Sequence, residues 1–150
     1  MTGRELLAVL IGTSLMVAAR AETPGGAPPG LAPGQQWSIK SAAPTTAKVI
    51  IDRLESWHSK TAVHISIIDL PVPQGLPGAG GTTVATHMPF EQSALAASLD
   101  RLLATGVSPP SGFESGYKSW HDANGGIFTV SVEKAIEFTL ETLGRGQSPR

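Results

Sequence analysis

The sequence predicts an α+β domain, in which a small antiparallel sheet of about four strands carries two or three helices packed on one face. Three observations lead to this fold class. Apolar and polar residues alternate in the first half of the folded part, as they do in strands with one buried face. Apolar residues recur at helical spacing in the second half. Strands that come first and helices that follow are typical of α+β domains.

The first 21 residues have the pattern of a cleavable signal peptide. Residues 6–19 form an uncharged run, which is shorter than the roughly 20 apolar residues of a membrane-spanning helix. Ala19-Arg20-Ala21 supplies the small–x–small pattern of a cleavage site. We therefore expect cleavage between Ala21 and Glu22, a periplasmic or secreted mature chain, and no stable membrane anchor afterwards. The alternative is an uncleaved anchor or a buried helix.

Residues 22–35 are rich in proline and glycine, which predicts a disordered linker after the signal peptide. A chain of 150 residues is typical of one domain. We place this single α+β domain at residues 36–144 and a flexible tail at residues 145–150.

Composition excludes several classes of function. The chain contains no cysteine, so disulfides, thiolate metal sites, iron–sulfur clusters and a cysteine nucleophile are excluded. A disulfide-free exported domain fits a bacterial periplasm better than a disulfide-rich extracellular setting. The formal net charge is -1, and no basic cluster provides the positive field that nucleic acid requires. We therefore expect no nucleic-acid partner.

The first half of the domain is expected to form the sheet. Alternation predicts strands at residues 36–41, 47–54 and 62–69. The clearest of them alternates Val63, Ile65 and Ile67 with His64 and Ser66. The polar stretch 55–60 is expected to turn the chain into a hairpin, and a Gly/Pro loop follows at residues 74–81.

The second half is expected to supply the helices. Apolar spacing predicts a helix from Pro89 to a stop at Gly106. A shorter helix is predicted at residues 111–123, although Gly116 inside it costs about 1 kcal/mol of helix propensity. A strand is predicted at residues 127–132. A last helix, capped by Ser131, is predicted to run to Leu143.

The ionisable residues give no catalytic signature. The four histidines, His58, His64, His87 and His121, lack the spacing of metal ligands, so no metal site and no cofactor are predicted. His58 and His64 are interpreted as solvated surface groups. The alternative is a two-histidine site formed by His87 and His121. The acidic pairs Asp52 with Glu55 and Glu137 with Glu141 are also interpreted as solvated surface.

An aromatic group provides the one candidate site. Phe113, Tyr117 and Trp120 share one face of the predicted helix 111–123, and core packing is the ordinary explanation for such a face. If Tyr117 or Trp120 is partly exposed beside His87, the spot could hold a small ligand or a partner segment. The candidate binding residues are therefore His87, Tyr117, Trp120 and His121, with no catalytic residue assigned.

Three hypotheses of function follow. The first is an exported, non-enzymatic domain that binds a partner protein or a small ligand. The alternative is a small secreted hydrolase or lyase that uses His87 or His121 as a general base. The third is a structural accessory of the cell envelope, for which an open sheet edge or apolar patch would be expected.

Overall fold

The computed structural model describes residues 30–146. The elements in this range are β1 (Gln36–Ile39), β2 (Lys48–Trp57), β3 (Lys60–Pro71), β4 (Thr82–Glu91), α1 (Gln92–Ser98), β5 (Leu99–Ala104), α2 (Phe113–Asp122) and α3 (Val132–Arg145). The predicted α+β class is confirmed, with five strands in place of about four. The predicted signal peptide, linker residues 22–29 and tail residues 147–150 lie outside the described residues.

The five strands form one antiparallel sheet in the order β4-β3-β2-β1-β5. At its centre, β2 and β3 form a long hairpin that pairs Trp57 with Lys60. The connecting residues His58 and Ser59 have φ values of 46° and 63°. Positive φ at both positions is typical of a two-residue hairpin turn that matches the twist of the strands. The turn is therefore shorter than the predicted stretch 55–60.

The hydrophobic core lies on one face of this sheet. The alternating residues Val49 and Ile51 of β2 and Ile65 and Ile67 of β3 are completely buried there. The core cluster also includes the following buried residues of the other elements: Trp37, Phe90, Leu95, Leu99, Val132 and Ala135. Helices α1 and α3 therefore cover the apolar face, as the period-2 pattern of the strands requires.

The predicted helix from Pro89 to Gly106 is wrong. Residues 82–91 form β4, the helix is only the seven-residue α1, and β5 returns as an edge strand beside β1. Ser98 ends the helix: its hydroxyl donates to the carbonyl of Ala94 at 2.8 Å and accepts from the amide of Val132 at 3.0 Å. Leucine is favourable in helices, but pairing with a distant strand overrides that local preference.

The region around α3 is partly as predicted. The predicted strand 127–132 is absent, because among the described residues this stretch makes only an isolated bridge between Phe128 and Phe90. The last helix is confirmed, and the Ser131 side chain accepts a hydrogen bond from the amide of Lys134 at 3.2 Å. The helix predicted at residues 111–123 is confirmed as α2.

The residues before β1 are hydrogen-bonded to the sheet. The amide of Gly34 donates to the carbonyl of Ile51 at 2.8 Å. Gln35 is buried, and its Oε1 accepts from the Trp37 indole at 3.1 Å. This contact ties the start of β1 into the apolar side of the fold.

Candidate functional site

The second face of the sheet is polar and lies under α2. Two β-bulges in the strand pairing place additional side chains on this face. A register shift between Ile51 and Arg53 gives β2 an extra residue, Asp52. A second shift, in the pairing of β3 with β4, places Thr86 and His87 opposite Ser66. Such bulges reorient side chains, and here they gather ionisable groups beneath the helix.

His64 is completely buried on this face, so its interpretation as a solvated surface group is wrong. Its Nδ1 lies 2.9 Å from Nε2 of His87, within hydrogen-bond distance. Its Nε2 lies 2.8 Å from Oε1 of Glu55, but neither of these two atoms has a well-aligned hydrogen-bond partner among the described residues. The alternation of β3 correctly separates His64 from the core face, but it carries no information about α2, which covers the opposite face.

Burial favours the neutral form of both histidines. Burial lowers the pKa of His64, against the opposing effect of the Glu55 carboxylate. Burial, with further contributions from His64 and Arg53, lowers the pKa of His87 to about 4. A hydrogen bond between two imidazoles needs one N–H and one bare nitrogen. The pair therefore holds a single proton between its facing nitrogens.

Asp52 is half-buried beside this pair, so its interpretation as a solvated surface carboxylate is wrong. The Ser66 hydroxyl donates to its Oδ2 at 2.6 Å, while Oδ1 is buried without a hydrogen-bond partner among the described residues. Burial raises the pKa of Asp52 to about 6, and the charge of Glu114 adds to the rise. The other predicted surface pair, Glu137 and Glu141, is exposed.

Arg53 connects the sheet to α2. Its guanidinium lies over the ring of Tyr117, 4.0 Å from the ring centroid, and its Nη2 lies 3.2 Å from Oε1 of Glu114. A cation over an aromatic face is attractive. Arg53 therefore contacts α2 through two side chains of that helix.

Helix α2 lies very close to the sheet at His87. A Cβ added to Gly116 would lie 2.7 Å from Cβ of His87, closer than side chains tolerate. Only glycine allows this approach. Gly116 lowers the helix propensity of α2, which the sequence alone shows. The structure shows what is gained, because the missing side chain allows α2 to pack directly against the histidine pair.

An aromatic cluster, formed by Trp57, Tyr117, Trp120 and His121, lies beside the histidine pair. The ring centroids of Trp57 and Trp120 are 4.4 Å apart, and those of Trp57 and His121 are 5.5 Å apart. Tyr117 and His121 are 5.8 Å apart. Trp57 is not among the predicted site residues. Its position two residues after Glu55 placed it on the same face of β2, which is the signal that could have identified it.

The structure brings the four candidate binding residues together around the rings of Tyr117 and Trp120. The ring of His87 lies 6.1 Å from Tyr117 and 5.8 Å from Trp120, and all three side chains are half-buried. His121 is exposed, and its ring lies 5.8 Å from that of Tyr117. The histidine paired with His87 is His64 and not His121. His58 is exposed in the hairpin turn, as predicted.

A depression of about 360 Å³ lies on the outer side of α2. It is lined by Glu114, Tyr117, Lys118, His121 and Asp122. These positions are three or four residues apart, so they share one side of the helix. Two of the four candidate binding residues, Tyr117 and His121, therefore form part of a concave surface.

Comparisons with protein families, curated proteins and solved structures give no match to this chain. Within residues 30–146, no group of three or more histidine, cysteine or acidic side chains is arranged to hold a metal ion. No helix in the same range is long and apolar enough to cross a membrane. The chemistry of the site therefore has to be argued from its own geometry.

Proposed function

We propose that this protein is an exported, non-enzymatic binding domain whose small ligand or partner segment contacts the outer side of α2. The observation that carries the proposal is the continuity of the aromatic cluster with the depression. Tyr117 and His121 belong to both. Half-exposed aromatic side chains offer large contact area at low entropic cost, and they are enriched in binding surfaces.

The charges around the depression support recognition of a polar ligand with an aromatic or apolar face. Glu114 and Asp122 provide carboxylates at its rim, and Lys118 and Arg53 provide cations. Lys118 and Asp122 pair with each other one helical turn apart. Exposed pairs of this kind contribute little to stability, so their partners can be exchanged for ligand groups at small cost.

The proposed location is the bacterial periplasm or the exterior. Its support is the sequence pattern of residues 1–21, with cleavage expected between Ala21 and Glu22. Sequencing the N-terminus of protein recovered from an exporting host tests this part separately. Recovery of a chain that begins at Met1 or Thr2 would contradict it.

Binding is best tested with a panel of small molecules that includes aromatic acids, amines and sugars, followed by NMR on the 15N-labelled full chain. We expect at least one chemical class to shift the amides of residues 114–122. Tyr117→Ala and His121→Ala should each weaken that binding tenfold or more, as expected when a central aromatic contact is lost. Both variants should keep the unfolding midpoint within a few degrees, because these side chains are not core residues.

A matched control is available on α3. Phe138 is 48% exposed and lies outside the depression, so Phe138→Ala should leave binding unchanged. A separate groove of about 400 Å³ lies between the loop at Leu76 and the α3 residue Leu140. The proposed site would be contradicted by compounds that shift only the amide signals of residues lining this groove. It would also be contradicted if no compound of the panel bound.

The second candidate function is general base catalysis by His87. The contact series Glu55–His64–His87 favours it, because a carboxylate that orients a histidine is a common element of catalytic sites. The lowered pKa argues against it. A base with a pKa of about 4 accepts protons poorly at neutral pH, where an effective general base has a pKa near the working pH. A binding role therefore fits the site better.

A further inference from the structure

The histidine pair under α2 can accept one proton without conflict, but not two. With one added proton, His64 can donate from Nε2 toward Glu55 and from Nδ1 to the bare Nε2 of His87. A second proton, on His87, would place N–H groups on both facing nitrogens, which are only 2.9 Å apart. While α2 is docked, Gly116 lies against the Cβ of His87 and His64 is completely buried, so the facing nitrogen of His64 has no access to water.

The contacts of α2 are separate from the hydrophobic core. Phe113 is its one completely buried side chain, and it does not belong to the core cluster on the other face. Its other contacts with the sheet are polar or aromatic, and they include Arg53 with Glu114 and Tyr117, the histidine pair with Tyr117 and Trp120, and Trp57 with Trp120. A segment held by few apolar contacts can open locally while the rest of the fold stays intact.

We propose that the histidine pair makes the docking of α2 acid-sensitive, so that a second proton on the pair, carried by His87, releases the helix from the sheet while the core stays folded. The release exposes the polar face and separates Tyr117 and Trp120 from the sheet residue Trp57. This acid-dependent release of α2 does not depend on which ligand binds to the helix. It follows from the positions of the two histidines in the fold.

Two charged side chains of β2 affect the protonation of the pair, and further ionisable groups of β2 and α2 lie around it. On β2, Arg53 opposes a positive charge on either ring, whereas Glu55 favours one on His64. Asp52, also on β2, loses its negative charge below about pH 6. From α2, Glu114 pairs with Arg53, and Tyr117 contacts His64 edge-on at 5.0 Å.

The size of the effect follows from the groups whose environment changes on release. If the pKa of His87 rises from about 4 to its ordinary 6.5, release becomes about thirtyfold more favourable between pH 7.5 and 5.0. Asp52 opposes this by up to about fivefold, because its pKa falls from about 6 toward 3.8 on exposure while partial exposure screens its charge. The net change is therefore at least about sixfold in the native chain and at least about thirtyfold in Asp52→Asn, since His64, whose pKa burial also lowers, acts in the same sense as His87.

The tryptophan indoles provide the readout. The Trp57 N–H donates to the carbonyl of Gly125 at 3.2 Å, a bond between the sheet and the segment that follows α2. The Trp37 N–H donates to Gln35 on the core side. Hydrogen exchange of both indoles in the 15N-labelled full chain is measured at pH 7.5 and 5.0, relative to free tryptophan at each pH. From pH 7.5 to 5.0, we expect the protection of the Trp57 indole against exchange to fall by the fold-changes given for the native chain and for Asp52→Asn. The protection of the Trp37 indole should stay constant.

Substitutions separate this mechanism from general acid unfolding. His87→Gln keeps a hydrogen-bonding side chain but cannot gain charge, so it should abolish the acid-induced loss of Trp57 protection, and the remaining Asp52 effect should leave that protection unchanged or raised at pH 5.0. His58→Gln, which changes an exposed histidine, should retain the response. A response that survives in His87→Gln, or that appears equally at Trp37, overturns the proposal. Should His87→Gln fail to fold, an acid response no larger in Asp52→Asn than in the native chain overturns it.

Discussion

The two faces of the sheet are formed by the same strands but are stabilised differently. On the core face, Ile51, Ile65 and Ile67 are completely buried under α1 and α3. On the other face, His64 and Ser66 are equally buried, but they contact ionisable groups under α2. Neighbouring residues of one strand therefore enter either an apolar core or a polar network.

The difference determines how each face responds to change. Apolar burial is non-directional and insensitive to pH, so the core face should respond mainly to lost volume. The polar face contains groups whose charge depends on pH and whose contacts require particular geometry. The core face thus provides stability, and the polar face is the part of the fold that can change state.

The largest effect is expected on the core face. Ile65→Ala removes a completely buried side chain and should lower the free energy of unfolding by roughly 2–5 kcal/mol. The adjacent Ser66→Ala removes one hydroxyl from the polar face and should cost about 1 kcal/mol. Urea denaturation followed by circular dichroism measures both. Equal losses would show that the faces contribute to stability in the same way.

A smaller effect is expected where α2 meets the sheet. Gly116→Ala should destabilise the fold by roughly 1–2 kcal/mol, because overpacking against His87 outweighs the gain in helix propensity. Gly144→Ala in α3 is the matched control. There an added Cβ would meet only Leu76, at an ordinary 3.7 Å, so the change should be neutral or slightly stabilising. Thermal unfolding distinguishes the two, and a neutral Gly116→Ala would mean that α2 is not pressed against His87.

The sequence contained more information about the core face than about the polar face. Alternation within β2 and β3 identified the residues of the core, because the two-residue period of a strand is local. The burial of His64 depends on α2, which lies some fifty residues later in the chain. Its pairing with His87 depends on the register of β3 against β4, and the sequence analysis had not assigned residues 82–91 to a strand. Long-range pairing of this kind leaves little local pattern.

The candidate site was predictable to the same limited extent. The helical spacing of Tyr117 and Trp120 correctly placed them together, since it follows from the period of one helix. His87 reaches them through β4, whose residues 82–88 were assigned to no element and whose last residues were predicted to begin a helix at Pro89. Between Leu99 and Ala104, the spacing of the leucines is compatible with a helix. These residues form a strand because they pair with the free edge of β1, which the local sequence does not reveal.

The two outer helices also differ in how they begin. The Ser131 side chain caps α3, whereas α2 begins at Gly112 without a side-chain cap. Ser131→Ala should lower the free energy of unfolding by about 1 kcal/mol, the usual value of an N-cap. Gly112→Ser should not gain a similar amount at α2, because Gly112 has a φ of 94° and lies against Thr86. Denaturant titration compares them, and a stabilising Gly112→Ser would contradict this asymmetry.

The smallest effect, and the one that most directly separates the faces, is expected at Asp52. Its native pKa of about 6 lies above the ordinary 3.8, so its charge destabilises the fold above pH 6, and the penalty fades as pH falls toward 3.8. Asp52→Asn should therefore stabilise the protein at pH 7.5, by less than about 1 kcal/mol because partial exposure screens the charge.

His87 acts in the opposite sense, since its native pKa of about 4 makes stability fall as pH drops below 6.5. Asp52→Asn should thus lose stability more steeply than the native chain between pH 6.5 and 4.5 in urea titrations. The exposed control Asp100→Asn should follow the native chain. Parallel curves for Asp52→Asn and the native chain would mean that the polar face does not set the pH dependence.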